Sequence, residues 1–295
     1  MTFSTEQTSR CFPAIGANNF MKKGIFFVNA YGCPDVSGDL EKMFLLMKET
    51  GTLGLQFHIS ELMRLDKENF KKLLEKNNAS PECVHVTPRL FSEDENVFLE
   101  AVKECEHALD YISSFGCKYL MVAPFHPSDV KDRQKALERF AKGLELVVAK
   151  AETYGISVVI ENISLLILPF STPEDVEYLL DKVKGLKFCF DTGNFVCTKH
   201  DTVDTFERLK DRICMVHVKD FGICKEGGYV CDSGLCVEHV DFGKGEAKLE
   251  EVLSLLYRYK PDITYVVEVH NEMPPKDDVV KACSFVDRVW EECRK

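Results

Sequence analysis

Eight short apolar segments recur along this chain, and longer stretches with helical spacing separate them. The segments span 24–30, 52–58, 82–87, 117–123, 155–162, 186–191, 212–218 and 263–269. Between them, stretches such as 96–116 place apolar residues three and four positions apart, which predicts amphipathic helices. Strands that alternate with helices favour a parallel sheet, and strands with so little polar alternation must be covered on both faces.

A closed eight-stranded barrel is the simplest architecture for this pattern. The chain has 295 residues, enough for one α/β barrel of eight strand–helix units. A doubly wound open sheet is the alternative, but residues 29–32 after the first segment lack the glycine-rich phosphate loop typical of that fold. Residues 1–21 are polar and show little periodicity. The prediction is a single-domain (β/α)8 TIM barrel over 22–295 with a short N-terminal extension over 1–21.

Composition narrows the classes of function. The formal net charge is -11 and the sequence pI is about 5.3, so no general attraction for nucleic acid or anionic lipid is expected. The thirteen cysteines are scattered without the paired spacing of a zinc site. No signal peptide or membrane-length apolar run is visible. These features predict a cytoplasmic protein with reduced thiols.

Polar residues that can ligate a metal lie at the ends of four successive predicted strands. They are Glu161, Asp191, His217 and Glu268. Taken alone, Asp191 is explained as a turn former before Gly193, and His217 as a hydrogen-bonded core histidine. In a barrel, however, the carboxyl ends of neighbouring strands meet at one end, where active sites lie. We therefore expect these four side chains to converge.

Three carboxylates in one cavity repel one another, and a shared divalent cation relieves that repulsion most simply. Three oxygen ligands and one imidazole suit Mn²⁺, Mg²⁺ or Co²⁺ in an open octahedral site. Zinc also binds such residues but prefers fewer ligands that are richer in nitrogen or sulfur. The sequence thus predicts a divalent-metal site.

The motifs GISVVIEN, LKFCFDTGN, DRICMVHVKD, FGKGE and YVVEVH, in this order, resemble the xylose isomerase-like barrels of the sugar phosphate isomerase/epimerase superfamily. The resemblance implies that Glu161, Asp191, His217 and Glu268 are metal ligands, and that Glu161 and Glu268 also act as acid and base around an enediolate. It further implies a small sugar or polyol-derived substrate. Members of the superfamily often dimerise or tetramerise, so a homo-oligomer is compatible with it.

Three positions depart from the epimerase pattern: Asn194 replaces a common histidine, Ile167 a common glutamate, and Ile223 stands near the place of an arginine. Candidate substrate-binding residues are Lys219, Asn194, His85, His58 and His239. Lys219 either binds substrate or pairs with one of the glutamates. The glycine- and cysteine-containing loop 222–245 is long for a barrel connection, and it is either a substrate lid or an insertion.

Three other functions remain open from the residues. An inosose-type dehydratase would use the same intermediate and lose a hydroxyl from it. A metal-dependent apurinic-site endonuclease would use extra histidines, and His85, His126 and His239 fall near such places. With a net charge of -11, the protein lacks the general electrostatic attraction that binds duplex DNA. A barrel that binds metal without turnover is the third alternative.

Overall fold

The computed structural model of the protein describes residues 22–269 and 273–295. The predicted extension over 1–21 and the last residue of YVVEVH lie outside the described residues. The strands are β1 (Lys22–Phe26), β2 (Gly54–His58), β3 (Ser80–Val86), β4 (Tyr119–Val122), β5 (Ser157–Glu161), β6 (Lys187–Asp191), β7 (Ile213–Val218), β8 (Phe221–Ile223), β9 (Tyr229–Val230), β10 (Cys236–His239) and β11 (Thr264–Val267).

The helices fill the intervals between the strands. They are α1 (Phe27–Tyr31), α2 (Leu40–Glu49), α3 (Ile59–Arg64), α4 (Lys67–Lys76), α5 (Glu95–Ser113), α6 (Arg133–Glu152), α7 (Pro173–Lys182), α8 (Asn194–Cys197), α9 (Thr202–Leu209), α10 (Leu249–Tyr259) and α11 (Lys276–Arg294), with 3-10 turns at Pro127–Asp129 and Lys210–Arg212. Within the described ranges, no helix combines the length and the apolar character needed to cross a membrane.

Eight strands close into a parallel barrel in the order β1-β11-β7-β6-β5-β4-β3-β2. Each of the eight apolar segments supplies one strand, so the predicted TIM barrel is confirmed and the doubly wound sheet is excluded. The large core lies between the strands and the surrounding helices. The carboxyl ends of β5, β6, β7 and β11 are neighbours on the barrel, which brings the residues at their ends together.

A layer of apolar side chains lies inside the barrel beneath the strand ends. Val159, Cys189, Met215 and Val266 belong to one buried cluster, and each stands two positions before one of the four predicted ligands. Because strand side chains alternate between faces, residues two apart point the same way. The four polar side chains therefore point into the barrel, above this apolar layer.

The first strand ends earlier than predicted. The apolar segment 24–30 is strand only to Phe26, and the chain then turns into the short helix α1. Phe27 and Tyr31 lie one helical turn apart and stack with ring centroids 4.7 Å apart. Asn29, buried in this helix, accepts a hydrogen bond of 3.0 Å from the N–H of Val269 beyond β11. Packing and this polar contact favour a helical turn over continued strand.

The long loop after β7 forms a small antiparallel sheet of its own, in the order β8-β10-β9. Asp220 joins the two ends of this loop. Its buried carboxylate accepts hydrogen bonds from the N–H groups of Gly243, Gly245 and Ala247. The Asp232 carboxylate accepts the N–H groups of the 166–167 turn, each at 2.9 Å. The loop is thus ordered across the carboxyl end of the barrel.

Candidate metal centre

The four predicted ligands converge as expected at the carboxyl end of the barrel. Glu161 ends β5, Asp191 ends β6, His217 lies in β7 and Glu268 directly follows β11. One ligand atom from each lies within 4.8 Å of those of the others, and we call this set the four-ligand cluster. Within residues 22–269 and 273–295, it is the one group of three or more side chains that could hold a metal ion.

Asp191 has two roles, one for each carboxylate oxygen. Its Oδ1 accepts hydrogen bonds from the N–H groups of Gly193 and Asn194 at 2.8 and 2.7 Å, so it forms the turn. Its Oδ2 is buried without a hydrogen-bond partner among the described residues. A buried carboxylate oxygen without a partner is costly. Asp191 is thus a turn former and also offers an unused ligand atom to the cluster.

Asn162 fixes Asp191 from the neighbouring strand. The Asn162 side chain is fully buried and donates to the Asp191 carbonyl at 3.0 Å, while its Oδ1 accepts the Asp191 N–H at 2.9 Å. These two bonds replace backbone pairing where β5 and β6 end. Asp191 is therefore held on both sides, by its own turn and by β5.

Gln56 sets the orientation of the His217 ring. The Gln56 side chain is buried in β2, and its Oε1 lies 2.8 Å from His217 Nε2. An amide oxygen accepts hydrogen bonds, so Nε2 carries the proton and Nδ1 presents a lone pair. Nδ1 lies 3.0 Å from Glu161 Oε1, 3.8 Å from Glu268 Oε2 and 3.9 Å from Asp191 Oδ2.

This geometry places a nitrogen lone pair against three carboxylates. Such acceptors repel one another unless a proton or a cation lies between them. Burial is the main reason that the pKa of Glu161 rises to about 7 and that of Asp191 to about 6. Burial also lowers the pKa of His217 to about 4, so the imidazole is neutral at pH 7. A neutral imidazole with a free lone pair is the form that binds metals.

The donor set fits a divalent cation. It offers three carboxylate oxygens and one imidazole nitrogen. Among the described residues, Asp191 Oδ2 has no hydrogen-bond partner and only the Lys219 ammonium, 3.6 Å away, as a neighbouring cation. Oxygen-rich sets of this kind suit hard or borderline divalent ions. The side chains of Asp191 and His217 are fully buried, while those of Glu161 and Glu268 keep 12% and 23% exposure. The cluster is therefore accessible to a small molecule on its glutamate side.

Lys219 and Asn194 both contact the cluster. The Lys219 ammonium pairs with Glu268 Oε1 and lies 3.6 Å from Asp191 Oδ2. Burial would lower the pKa of Lys219, but the carboxylates of Glu268, Asp191 and Glu161 outweigh burial and raise it. The Asn194 amide donates to the Asn162 carbonyl at 2.9 Å and to Glu161 Oε1 at 3.4 Å. Asn194 thus contacts one of the predicted ligands through its side-chain amide.

The other predicted histidines take different places. His58 caps α3, with its Nδ1 2.7 Å from Ser60 Oγ. His85, opposite His58 in the strand register, has a buried Nδ1 without a hydrogen-bond partner among the described residues. Phe26 separates His85 from the cluster, with its ring 5.0 Å from that of His217. His239 packs against Phe221 at 4.5 Å.

A cavity of about 430 Å³ opens beside the cluster, and Lys219, His239 and Glu268 contribute to its wall. This volume is within the range of small-molecule sites. His85, His126 and His239 do not join a second ligand group in the described parts of the chain. His126 instead contacts the Thr87 carbonyl at 2.8 Å.

The sequence interpretation missed Gln56 and Asn162 as supporting residues. It also missed Thr192, whose Oγ1 donates to the Lys219 carbonyl at 2.7 Å. Gln56 carried a signal, because a lone amide inside the apolar segment TLGLQFH requires a buried partner. Asn162 and Thr192 directly follow Glu161 and Asp191, where a polar residue is ordinary after a strand. Their partners lie on neighbouring strands, and only the tertiary structure identifies them.

Replacing Gln56 by Leu should weaken Mn²⁺ binding by about 10- to 100-fold, because loss of a partner that orients a ligating histidine typically has this effect. Leucine leaves His217 Nε2–H without its acceptor, and the ring can then adopt other orientations. Isothermal titration calorimetry of the metal-free protein measures the change. Gln56→Glu keeps an acceptor and should bind within tenfold of wild type. Equal affinity of Gln56→Leu and wild type would contradict the orienting role.

Affinity for Mn²⁺ should rise with pH between 5 and 7.5 by at least ~tenfold, because protons compete with a metal for its ligands. Glu161 and Asp191, with pKa values of about 7 and 6, are largely protonated at pH 5 and must lose those protons to ligate. Titrations at three pH values in one buffer series test this. An affinity that is flat or falls with pH would show that neither carboxylate ligates.

Comparisons with known proteins agree with this fold. A family model described as xylose isomerase-like TIM barrel matches residues 44–289. A D-tagatose 3-epimerase-like protein superimposes with a TM-score of 0.74 at 20% identity, covering 93% of this chain and 98% of that chain. The IOLI protein with a binding zinc atom gives a TM-score of 0.73 at 16% identity, covering 92% and 99%.

A third solved structure, the 3-keto-D-glucoside 4-epimerase YcjR from E. coli, gives a TM-score of 0.70 at 16% identity, covering 91% of this chain and 100% of that chain. No functionally curated protein sequence matches the chain significantly. At these identities the solved structures show a shared fold, whereas the family model spans most of the sequence. The chain belongs to the family of xylose isomerase-like TIM barrels.

Proposed function

We propose that the protein is a divalent-metal-dependent isomerase or epimerase that acts on a small sugar or polyhydroxy carbonyl compound. The observation that carries the proposal is the four-ligand cluster, in which a neutral imidazole and three carboxylates converge beside an open cavity. The structural relatives include proteins named as sugar epimerases, and one relative is named as binding a zinc atom, which supports a metal-binding role for this barrel.

The four-ligand cluster would hold a divalent cation, which would supply Lewis-acid polarisation of a substrate carbonyl and stabilisation of the charge on its oxygen. Glu161 and Glu268 then serve as base and acid at the carbon beside that carbonyl. They approach from strands separated by β6 and β7, so they reach a substrate from two sides. One carboxylate takes the proton and one returns it through an enediolate.

The remaining side chains hold these two glutamates and the substrate. Glu161 accepts a hydrogen bond from the neutral Asn194 amide, whereas Glu268 pairs with the cationic Lys219 ammonium. Lys219 and His239 line the cavity, and we expect them to contact substrate hydroxyls. His85 and His58 lie opposite each other on β3 and β2, and their contact with substrate stays a prediction.

Proton exchange with solvent is the direct test of this chemistry. The protein, loaded with Mn²⁺, is incubated in D₂O with a panel of ketoses, inososes and hydroxypyruvate, and deuterium at the carbon beside the carbonyl is followed by NMR. We expect metal-dependent exchange with at least one compound, and none with the metal-free protein. Metal binding without exchange on any compound would contradict the proposal.

The same samples distinguish the alternatives. A dehydratase would release water and give a product with one hydroxyl fewer, which NMR also detects. A nuclease would cleave abasic duplex DNA, and a non-catalytic barrel would bind metal without any turnover. The absence of a second ligand group in residues 22–269 and 273–295 gives no support to a multi-zinc nuclease centre.

A further inference from the structure

Lys219 is held at its backbone by two hydrogen bonds, and its side chain is largely buried. Its backbone N–H donates to Thr192 Oγ1 at 2.9 Å, and Thr192 Oγ1 donates to the Lys219 carbonyl at 2.7 Å. Its side chain is only 12% exposed. Ordering a lysine side chain costs conformational entropy, so a fixed position indicates a compensating interaction.

Gly193 makes room for this side chain. A Cβ atom at Gly193 would lie 2.9 Å from Lys219 Cγ, closer than such atoms approach, and 3.2 Å from Lys219 Cβ, which is a tight contact. Both residues that follow Asp191 therefore help to position Lys219. Thr192 binds its backbone through the hydroxyl, and Gly193 leaves space for its side chain. The turn that presents Asp191 Oδ2 also places a cation 3.6 Å from that oxygen.

Glu268 is shared between Lys219 and the cluster. Its Oε1 pairs with the Lys219 ammonium, and its Oε2 lies 3.8 Å from His217 Nδ1 on the ligand side. One carboxylate can thus keep the lysine while it offers its second oxygen to a metal ion. The lysine need not leave for the metal to bind.

The charges of the site balance only with both cations. Glu161, Asp191 and Glu268 contribute -3 when ionised and Lys219 contributes +1. The His217 imidazole donates its Nε2–H to Gln56 and turns Nδ1 toward the carboxylates, and a ligating imidazole adds no charge. A divalent ion adds +2, and -3 + 1 + 2 gives zero. With the metal but without Lys219, the net charge of the site would be -1. With Lys219 but without the metal, it would be -2.

We propose that Lys219 is a resident cation of the metal centre: it partly neutralises the carboxylates before loading and lowers the affinity of the divalent ion afterwards. This inference rests on the metal site of the proposed function. At an effective dielectric of about 20, repulsion between an ammonium and a divalent ion that share one carboxylate exceeds a tenfold change in affinity. Lys219 thus acts on the metal indirectly, through the carboxylates that it contacts.

Calorimetric titration of the metal-free proteins with Mn²⁺ tests the inference. Lys219→Met should bind Mn²⁺ at least tenfold more tightly than wild type, whereas Lys219→Arg, which keeps the charge, should stay within tenfold. Lys244→Met removes a lysine from the same cavity wall without touching the cluster, and it should bind like wild type. Unchanged or weaker binding by Lys219→Met would overturn the inference.

Thermal unfolding gives a second readout if metal-free Lys219→Met is too unstable to titrate. The Mn²⁺-induced rise in Tm should be larger for Lys219→Met and Lys219→Gln than for wild type, because a ligand that binds more tightly stabilises more. An equal or smaller rise would count against the resident cation. Wild-type protein that binds no divalent ion would overturn the proposed function as well, whereas tight wild-type binding with no gain in Lys219→Met would overturn this inference alone.

Discussion

Asp191→Asn should weaken Mn²⁺ binding by more than about 100-fold, a larger loss than is typical for residues that only support a ligand. The asparagine Oδ1 can still accept the N–H groups of Gly193 and Asn194, so the turn after β6 is retained. At the position of Oδ2, however, asparagine presents an NH₂ group, which cannot ligate a metal and has no negative charge. The change therefore removes the ligand and keeps the local fold.

Metal content by elemental analysis and Mn²⁺ affinity by calorimetry measure this loss, and thermal unfolding verifies the fold. Asp94→Asn is the matched control, because Asp94 also accepts backbone N–H groups, at the start of α5 and away from the cluster. The control should bind Mn²⁺ like wild type. If Asp191→Asn retains wild-type metal content and affinity, Asp191 is a turn former alone.

Glu268→Gln should lower kcat by about 10²- to 10⁴-fold, the usual contribution of a group that transfers a proton. Glutamine is nearly the same size and can accept a hydrogen bond from Lys219, but its amide cannot exchange the substrate proton. Three ligands of the cluster remain, so we expect occupancy at saturating Mn²⁺ to fall much less than turnover. Loss of deuterium exchange with metal still bound is the expected signature.

The pair of measurements separates catalysis from metal binding. Glu161→Gln should behave similarly, because the proposed reaction needs both carboxylates. Glu238→Gln, on the exposed side of β10, is a control for the change of charge near the centre and should leave turnover within about twofold of wild type. Small, equal effects of Glu268→Gln on turnover and on metal occupancy would contradict the acid–base assignment.

Much of the barrel could be predicted, because its strands are apolar on both faces and its helices have a different periodicity. The eight segments gave the eight strands, and the residues at the ends of four of them gave the four-ligand cluster. The end of β1 could not be predicted, since the segment is apolar without interruption from Ile25 to Val28. Stacking of Phe27 on Tyr31 and the contact of Asn29 with Val269 turn this segment into a helix.

The loop after β7 shows a second limit of the sequence. Its short strands β8, β9 and β10 are two to four residues long, too short for a periodicity to emerge. What orders the loop is Asp220 at its base and Asp232 at its contact with the 166–167 turn. Both are acids in polar surroundings, a context in which the sequence does not distinguish a structural carboxylate from a solvated one.

The motif DTGN at the end of β6 marks the boundary between sequence and tertiary structure most clearly. The sequence alone determined that Asp191 follows an apolar strand and begins a turn, because both properties are local. Only the tertiary structure decided that Asp191 Oδ2 has no hydrogen-bond partner among the described residues, that Thr192 and Gly193 contact Lys219, and that Asn194 reaches Glu161. Local periodicity fixes where a side chain points, whereas its partners come from strands far apart in the chain, brought together when the barrel closes.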